Sequence, residues 1–126
     1  MSQQLLLNLP WPPSVNVYYR HIAVKGKPRT LISARGRIYR RDVAAAVGYV
    51  ARIAEPKRVG LKVVFYPPDR RRRDIDNPLK ALLDALTHAG VWDDDSQVRY
   101  LSVGIGDIKR GGEAAVTINI IGEEPT

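Results

Sequence analysis

The most informative stretch of this chain is Arg70-Arg71-Arg72-Arg73-Asp74-Ile75-Asp76-Asn77-Pro78-Leu79-Lys80-Ala81-Leu82-Leu83-Asp84-Ala85-Leu86. Its second half predicts a helix that begins at Pro78, because Asn77 is a favoured N-cap and a proline in the first helical position loses no hydrogen bond. Four leucines recur at helical spacing and predict one apolar face: Leu79, Leu82, Leu83 and Leu86. Gly90 is the expected residue just past the end of this helix.

Strands are predicted on both sides of the helix. Residues 60–66 are rich in Val and aromatic side chains, and Pro67 and Pro68 end this segment. Further strands are expected at 4–9, 98–105 and 114–121, with the last two joined near 109–112. Residues 18–22 and 29–32 predict a hairpin with a basic tip.

An earlier helix is predicted after Ser33, which is a suitable N-cap, and it is expected to end by Pro56. Its buried positions are expected to be Tyr39, Val43, Ala46, Val47, Val50 and Ile53. The resulting order is β, β-hairpin, α, β, α, β, β. It predicts one α+β domain over residues 1–126, with a mixed β-sheet and two main helices.

Composition limits the possible functions. A chain of 126 residues with 44% hydrophobic content suits one domain with one core. There is no cysteine, which excludes a disulfide framework and a thiolate zinc site and is compatible with a cytoplasmic location. We expect neither a membrane span nor a secretory signal. The net charge of +7 indicates an acidic partner, with nucleic acid favoured over anionic lipid.

The charges are clustered rather than evenly spread. One basic cluster consists of Arg35, Arg37, Arg40 and Arg41, and a second consists of Arg70, Arg71, Arg72 and Arg73. The acids that lie between positions 74 and 95 are Asp74, Asp76, Asp84, Asp93, Asp94 and Asp95. A basic surround with an acidic centre is typical of a nuclease, because it holds a polyanion beside a hard cation.

The acidic pair predicts a metal site. In an extended segment Asp74 and Asp76 would point to the same side, and a third acid would come from 93–95. Mg²⁺ takes oxygen ligands in octahedral geometry and keeps several waters, so a few carboxylates suffice. Such ions activate a water and stabilise the leaving oxygen of an in-line displacement. Lys80 lies one turn inside the helix, and Asp84 follows it at a spacing that allows a shared face.

Each of these features also has an ordinary structural interpretation. A pair of aspartates two residues apart is common, and the acids at 93–95 alone would suit a solvated turn. The arginines at 70–73 would serve equally to solvate a loop, and Lys80 with Asp84 would form a surface ion pair. Two further functions stay open at this point: a non-catalytic basic DNA-binding module, and a metal-dependent hydrolase of small phosphate esters. The nuclease interpretation depends on the features occurring together.

The whole pattern resembles the RusA family of Holliday junction resolvases, which are crossover junction endodeoxyribonucleases. The resemblance is carried by residues 69–77, Lys80, 84–86, 90–92 and 94–98, and in the first third of the chain by 9–16, 18–21, 33–34, Gly36 and 39–40. It covers nearly the whole sequence.

The resemblance implies a homodimer that needs Mg²⁺ or Mn²⁺, binds four-way DNA junctions and makes paired nicks across the branch point in DNA recombination and repair. It also implies a phage or prophage origin. The family's catalytic aspartates fall on Asp74, Asp76 and Asp95, which would hold the metal, and its lysine falls on Lys80, which would neutralise charge on the phosphate or leaving oxygen. Asn77 and Asp94 would have supporting roles. The arginines of both basic clusters would bind the DNA.

One departure from the family pattern concerns the third acid. The family often has an apolar residue before its acidic pair, and this chain has Asp93 there. Which of Asp93, Asp94 and Asp95 binds the metal is therefore open, with Asp95 ranked above Asp94.

Overall fold

The computed structural model describes residues 4–125, and every predicted helix and strand is present. In chain order the elements are β1 (Gln4–Leu9), α1 (Val15–Tyr18), β2 (Tyr19–Val24), β3 (Lys27–Ile32), α2 (Ala34–Val47), β4 (Lys57–Tyr66), α3 (Asn77–His88), a 3₁₀ turn (Asp95–Gln97), β5 (Val98–Ile105) and β6 (Glu113–Glu123). The one-turn helix α1 was not predicted. None of the helices in this described part of the chain is long and apolar enough to cross a membrane.

Four strands form one mixed sheet in the order β1-β6-β4-β5. β4 is antiparallel to β6 and parallel to β5, and α3 provides the crossover between the two parallel strands. A parallel pair needs such a crossover, because the chain must return to the end of the sheet at which the first strand began before the second strand can run in the same direction. The predicted single α+β domain with a mixed sheet is confirmed.

The core lies on one face of this sheet. Alternate residues of β4, from Val59 to Phe65, are buried in the same cluster as Val43 of α2 and Leu82 and Leu86 of α3. Because successive strand side chains point to opposite faces, both helices cover the same side. The polar faces of both helices are therefore turned away from the sheet.

The apolar stripe predicted for α2 is partly wrong. Tyr39, Val43 and Val47 are buried as expected, but Ala46 is exposed. The helix ends at Val47, because Gly48 adopts a φ of 63° that does not continue an α-helix. The predicted positions 50 and 53 lie beyond the helix, in the loop, and still pack against the core.

The start of α3 differs from the prediction by one residue. Asp76 occupies the cap position and Asn77 is already helical. The Asn77 side chain does not cap its own helix, since its Oδ1 accepts a hydrogen bond from the backbone N–H of Val15 at 3.0 Å. Asn77 thus ties α1 to the beginning of α3.

The end of α3 is as predicted. Gly90 has a φ of 82°, and its N–H donates to the carbonyl of Thr87 at 3.0 Å. The N–H of Val91 donates to the carbonyl of Leu86 at 3.2 Å. These two bonds are the Schellman pattern that satisfies the last carbonyls of a helix.

Candidate active site

The first two candidate acids lie in a turn, not in an extended segment. Asp76 has φ −80° and ψ −19°, and the N–H of Asn77 donates to the carbonyl of Asp74 at 3.2 Å. The expectation that Asp74 and Asp76 share a side because the backbone is extended is therefore wrong. Both carboxylates are exposed, and within residues 4–125 neither has a hydrogen-bond or ion-pair partner.

Asp84 is held by the fold. Its Oδ2 accepts from Arg40 Nη2 at 2.8 Å and from Arg40 Nε at 3.0 Å, and the hydroxyl of Tyr18 donates to the same oxygen. The side chains of Arg40 and Asp84 are 22% and 30% exposed, so this pair lies between surface and core. Asp84 therefore pairs with Arg40 and not with Lys80.

The environment of this pair changes the proton affinity of Tyr18. Burial, followed by the hydrogen bond to Asp84, raises the pKa of Tyr18 far above its ordinary value. Burial lowers the pKa of Arg40, but the hydrogen bonds to Asp84 and Tyr18 outweigh it and leave a net increase. The network therefore keeps Tyr18 neutral and Arg40 charged, which joins α1, α2 and α3 beneath the surface.

Asp93 and Asp94 are also used by the fold. Asp93 Oδ2 accepts from the N–H of Glu55 at 2.9 Å, and its Oδ1 lies 3.4 Å from Arg52 Nη1. The carboxylate of Asp94 accepts from the hydroxyl of Ser96. These contacts hold the loop after α2 against the loop before β5.

Gln97 organises the same loop and was not singled out from the sequence. It is the one polar side chain counted as buried in the described chain, and it makes four hydrogen bonds. Its Oε1 accepts from the N–H groups of Asp93 and Asp94, at 2.8 and 3.0 Å, and its amide donates to the carbonyls of Ile53 and Lys57. A glutamine three residues after an aspartate is the sequence signal for such a cap.

Asp95 is different from its two neighbours. It begins the 3₁₀ turn, is exposed, and has no hydrogen-bond or ion-pair partner for its carboxylate in the described part of the chain. The six acids between positions 74 and 95 thus fall into two groups. Three are bound by other groups of the fold: Asp84, Asp93 and Asp94. Three are free: Asp74, Asp76 and Asp95.

Lys80 lies over an aromatic ring. Its Nζ is 5.2 Å from the centroid of the Tyr19 ring, a distance at which the ring attracts the ammonium. The pKa of Tyr19 is raised, first by burial and then by the nearby carboxylate of Asp84, with a smaller increase from Asp95. Tyr19 therefore contacts Lys80 and is close enough to Asp84 and Asp95 for both carboxylates to affect its pKa. The sequence did not distinguish a stacking role from a packing role for this tyrosine.

One chain does not bring the three free acids together. In the chain, Asp74 and Asp76 precede α3 and Asp95 follows it. Across residues 4–125 there is no group of three or more His, Asp or Glu side chains placed to hold one ion. The three free acids therefore do not form a preassembled ion site within the described part of one chain.

Arg73 points into the structure. It pairs with Asp69 at 2.9 Å, its guanidinium carbon lies 5.2 Å from the centroid of the Trp11 ring, and its side chain is 19% exposed. The N–H of Arg71 donates to Asp69 at 2.9 Å and is the main reason that the pKa of Asp69 lies below its ordinary value. The loop is thereby shaped so that Arg70, Arg71 and Arg72 are exposed.

A polar cleft of about 560 Å³ lies beside this loop, between the arginines and the start of α3. Its walls are Ser14, Arg71, Arg72, Arg73, Asp74 and Asn77. In the other basic cluster Arg35, Arg37 and Arg41 are exposed, whereas Arg40 is held by Asp84. Two of the eight arginines predicted to bind DNA, Arg40 and Arg73, are therefore partly buried with carboxylate partners, and Arg41 forms an exposed pair with Asp42.

Comparison with known proteins identifies the family of this chain. The family model described as endodeoxyribonuclease RusA matches residues 10–121. A crossover junction endodeoxyribonuclease of Enterobacteria phage 82 is 44% identical over 119 residues, which cover 94% of this chain and 96% of the relative. The proteins of that name from Escherichia coli K12 and Shigella sonnei are 43% identical over the same shares. The family resemblance predicted from the sequence is confirmed, and the chain belongs to the RusA family of endodeoxyribonucleases.

Proposed function

We propose that this chain is a cytoplasmic, homodimeric, metal-dependent endodeoxyribonuclease that resolves four-way DNA junctions by paired nicks. The curated relatives carry the name crossover junction endodeoxyribonuclease. The observation that carries the proposal is the selective use of the acids. The fold binds Asp84, Asp93 and Asp94 internally, and among residues 4–125 the carboxylates of Asp74, Asp76 and Asp95 have no partner. By resemblance to the family, the catalytic aspartates correspond to these same three residues, Asp74, Asp76 and Asp95.

The free acids are suitable ligands for Mg²⁺ or Mn²⁺. Both ions prefer carboxylate and water oxygens, and the three side chains are exposed and form no ion pair within residues 4–125. When bound, such an ion supplies charge stabilisation at the phosphate and lowers the pKa of a water. The residues that would hold it are Asp74, Asp76 and Asp95, with Asp94 and Asn77 fixing the two backbone segments that present them.

A dimer supplies what one chain lacks. Because the described part of one chain does not place three carboxylates around an ion, we infer that a shared ion uses the acidic pair of one protomer and Asp95 of its partner. A C2 dimer repeats such a contact twice, so it forms two equivalent sites related by the two-fold axis. Two sites in matching register suit a junction, whose paired nicks lie on strands related by the same symmetry.

The cations have separate tasks in this proposal. Lys80, held over the ring of Tyr19, neutralises charge on the scissile phosphate or on the leaving oxygen. The exposed arginines 35, 37, 41 and 70–72 bind the phosphates of the DNA arms. Arg40 and Arg73 contribute by shaping the surface, since each has an internal carboxylate partner. Positioning and charge dominate phosphoryl transfer, so this set suffices without a protein nucleophile.

The test is a labelled four-way junction incubated with the protein in Mg²⁺ or in EDTA and run on a denaturing gel. We expect paired nicks in the junction with Mg²⁺, no nicks with EDTA, and no cleavage of a linear duplex in either condition. Asp76→Asn should keep or strengthen junction binding, because it removes negative charge near DNA, and should abolish nicking. Asp107→Asn is the matched control, since Asp107 is another exposed aspartate and lies in the connection between β5 and β6. Nicking by Asp76→Asn at the wild-type rate, or nicking that resists EDTA, would overturn the proposal.

A further inference from the structure

The β2–β3 hairpin is an arm that stands apart from the main sheet. It forms a two-stranded sheet of its own, and most of its side chains are exposed. Lys25 and Gly26 connect the strands with φ values of 52° and 74°, the backbone of a tight two-residue hairpin turn. Since an isolated hairpin gains little from its own packing, an exposed arm of this length suggests a role in binding.

The cations of the two strands lie on one face of this arm. In an antiparallel pair, residues opposite each other share a face. The pairs on one face are Arg20 with Leu31, Ile22 with Arg29 and Val24 with Lys27, and we call this the basic face. The opposite face is built from Tyr19, His21, Ala23, Pro28, Thr30 and Ile32, with neither lysine nor arginine.

The charge of the basic face is not neutralised by the protein. Arg20, Lys27 and Arg29 are exposed, and in the part of the chain that the structure describes they form no ion pair. The first 41 residues of the sequence contain eight Lys and Arg side chains and no Asp or Glu. The aliphatic residues between these cations are not packed on the body either, since Val24 is 38% and Leu31 46% exposed. The face therefore suits an extended polyanion.

The root of the arm lies at the candidate active site. Tyr19, whose ring lies under the ammonium of Lys80, is the first residue of β2. The N–H of Ser33, just after β3, donates to the carbonyl of Tyr18 at 2.9 Å. α2 also approaches the root closely, because a Cβ on Gly36 would lie 2.4 Å from that carbonyl oxygen. A DNA strand at Lys80 would thus have the arm beside it.

We propose that the basic face of the β2–β3 arm binds the phosphate backbone of a duplex arm of DNA next to the nicking site. The placement of a nicking site beside the arm rests on the function proposed above. Binding of DNA by the arm does not itself require nicking. Arg29 is the most informative residue to change, because it lies in mid-strand and its neighbour Thr30 points to the opposite face.

The experiment measures binding of a labelled junction and a labelled duplex by fluorescence anisotropy in EDTA, over a range of salt concentrations. Arg29→Gln removes the cation. Arg29→Thr with Thr30→Arg keeps the composition and moves the cation to the other face. Lys62→Gln is the matched control, since Lys62 is an exposed cation in β4 on the sheet face opposite the helices. All three changes are at exposed positions, and circular dichroism verifies that each variant is folded.

Each phosphate contact contributes about −0.9 to the slope of log affinity against log salt. Arg29→Gln should therefore flatten the slope by about 0.9 and weaken binding about eight-fold at 0.1 M relative to 1 M salt. The relocated variant should weaken binding similarly at unchanged net charge, and Lys62→Gln should stay within about two-fold of wild type.

The outcomes separate the two proposals. If wild type nicks junctions and both Arg29 variants bind like wild type, the arm does not bind DNA and the nuclease proposal stands. If wild type binds DNA without nicking it and the Arg29 variants bind less, the nuclease proposal fails and the arm proposal stands. If Arg29→Gln and Lys62→Gln weaken DNA binding equally, the arm contributes only as part of the overall positive charge, and the inference is overturned. A wild-type protein that binds neither DNA would overturn both.

Discussion

Replacing Asp84 by alanine tests whether this acid is a structural residue. In the protein its carboxylate accepts three hydrogen bonds, two from Arg40 and one from Tyr18. Its removal leaves a guanidinium and a hydroxyl unpaired in a partly buried place. Breaking a fully buried pair costs about 3–5 kcal/mol, and an exposed pair is worth about 0–1 kcal/mol. With the Arg40 and Asp84 side chains 22% and 30% exposed, we expect a loss of about 2 kcal/mol.

This loss should be visible in thermal and urea unfolding. An unfolding entropy of about 2.1 cal/mol/K per residue, over 126 residues, converts about 2 kcal/mol into a decrease in Tm of about 8 °C. Asp42→Ala is the matched control, because Asp42 is half-exposed and lies 3.5 Å from Arg41 in a surface pair. It should change the free energy of unfolding by less than about 0.5 kcal/mol. Protein concentration must be the same in all samples, since the proposed dimerisation would shift the apparent stability.

A double-mutant cycle identifies the partner of Asp84. Coupling with Arg40→Ala should be about 1 kcal/mol or more, because the two side chains share hydrogen bonds. Coupling with Lys80→Ala should be near zero, since Lys80 lies over Tyr19 instead. An Asp84→Ala protein as stable as Asp42→Ala, or one that couples to Lys80 and not to Arg40, would refute this reasoning.

Three further predictions concern single residues. Gly36→Ala should destabilise the fold by about 1–3 kcal/mol in urea unfolding, because the added methyl meets a backbone oxygen at 2.4 Å, and wild-type stability would contradict the close approach. Gln97→Leu should lower the free energy of unfolding by about 3 kcal/mol or more in the same measurement, since it leaves two N–H groups and two carbonyls without hydrogen-bond partners. A decrease of less than about 1 kcal/mol would argue against the buried network. The folded-state pKa of Asp69 is lowered, so its contribution to loop order is complete above the unfolded pKa of about 3.9 and disappears as pH falls through the folded value. An NMR titration of this carboxyl with a midpoint at or above 3.9 would contradict it.

Local sequence signals predicted most of the fold. Two correctly predicted features are local and are determined by a few neighbouring residues. The Ser33 hydroxyl oxygen accepts a hydrogen bond from the N–H of Gly36, and Gly90 adopts a left-handed conformation after α3. The order of helices and strands along the chain also followed the alternation of apolar segments. The stripe of α2 was overextended because helical spacing continues in the sequence beyond Gly48, where the backbone no longer follows it.

Long-range contacts were beyond the sequence. The pairing of Asp84 with Arg40 joins residues 44 apart, whereas the spacing of Lys80 and Asp84 indicated only a neighbour on the same helix. Likewise, the sequence placed Asp93, Asp94 and Asp95 in one acidic run. Only the three-dimensional contacts of Glu55 with Asp93 and of Ser96 with Asp94 distinguish them and leave Asp95 free.

The division of the metal ligands between two protomers is tested by mixing two inactive variants. Asp76→Asn and Asp95→Asn are purified separately, combined, allowed to exchange subunits and assayed on a labelled junction with Mg²⁺. In a mixed dimer, one composite site would carry both changes and the other would be fully intact. We therefore predict that the mixture regains single nicks that neither variant makes alone. A mixture that stays inactive, although each variant binds the junction and the subunits demonstrably exchange, would contradict the shared site.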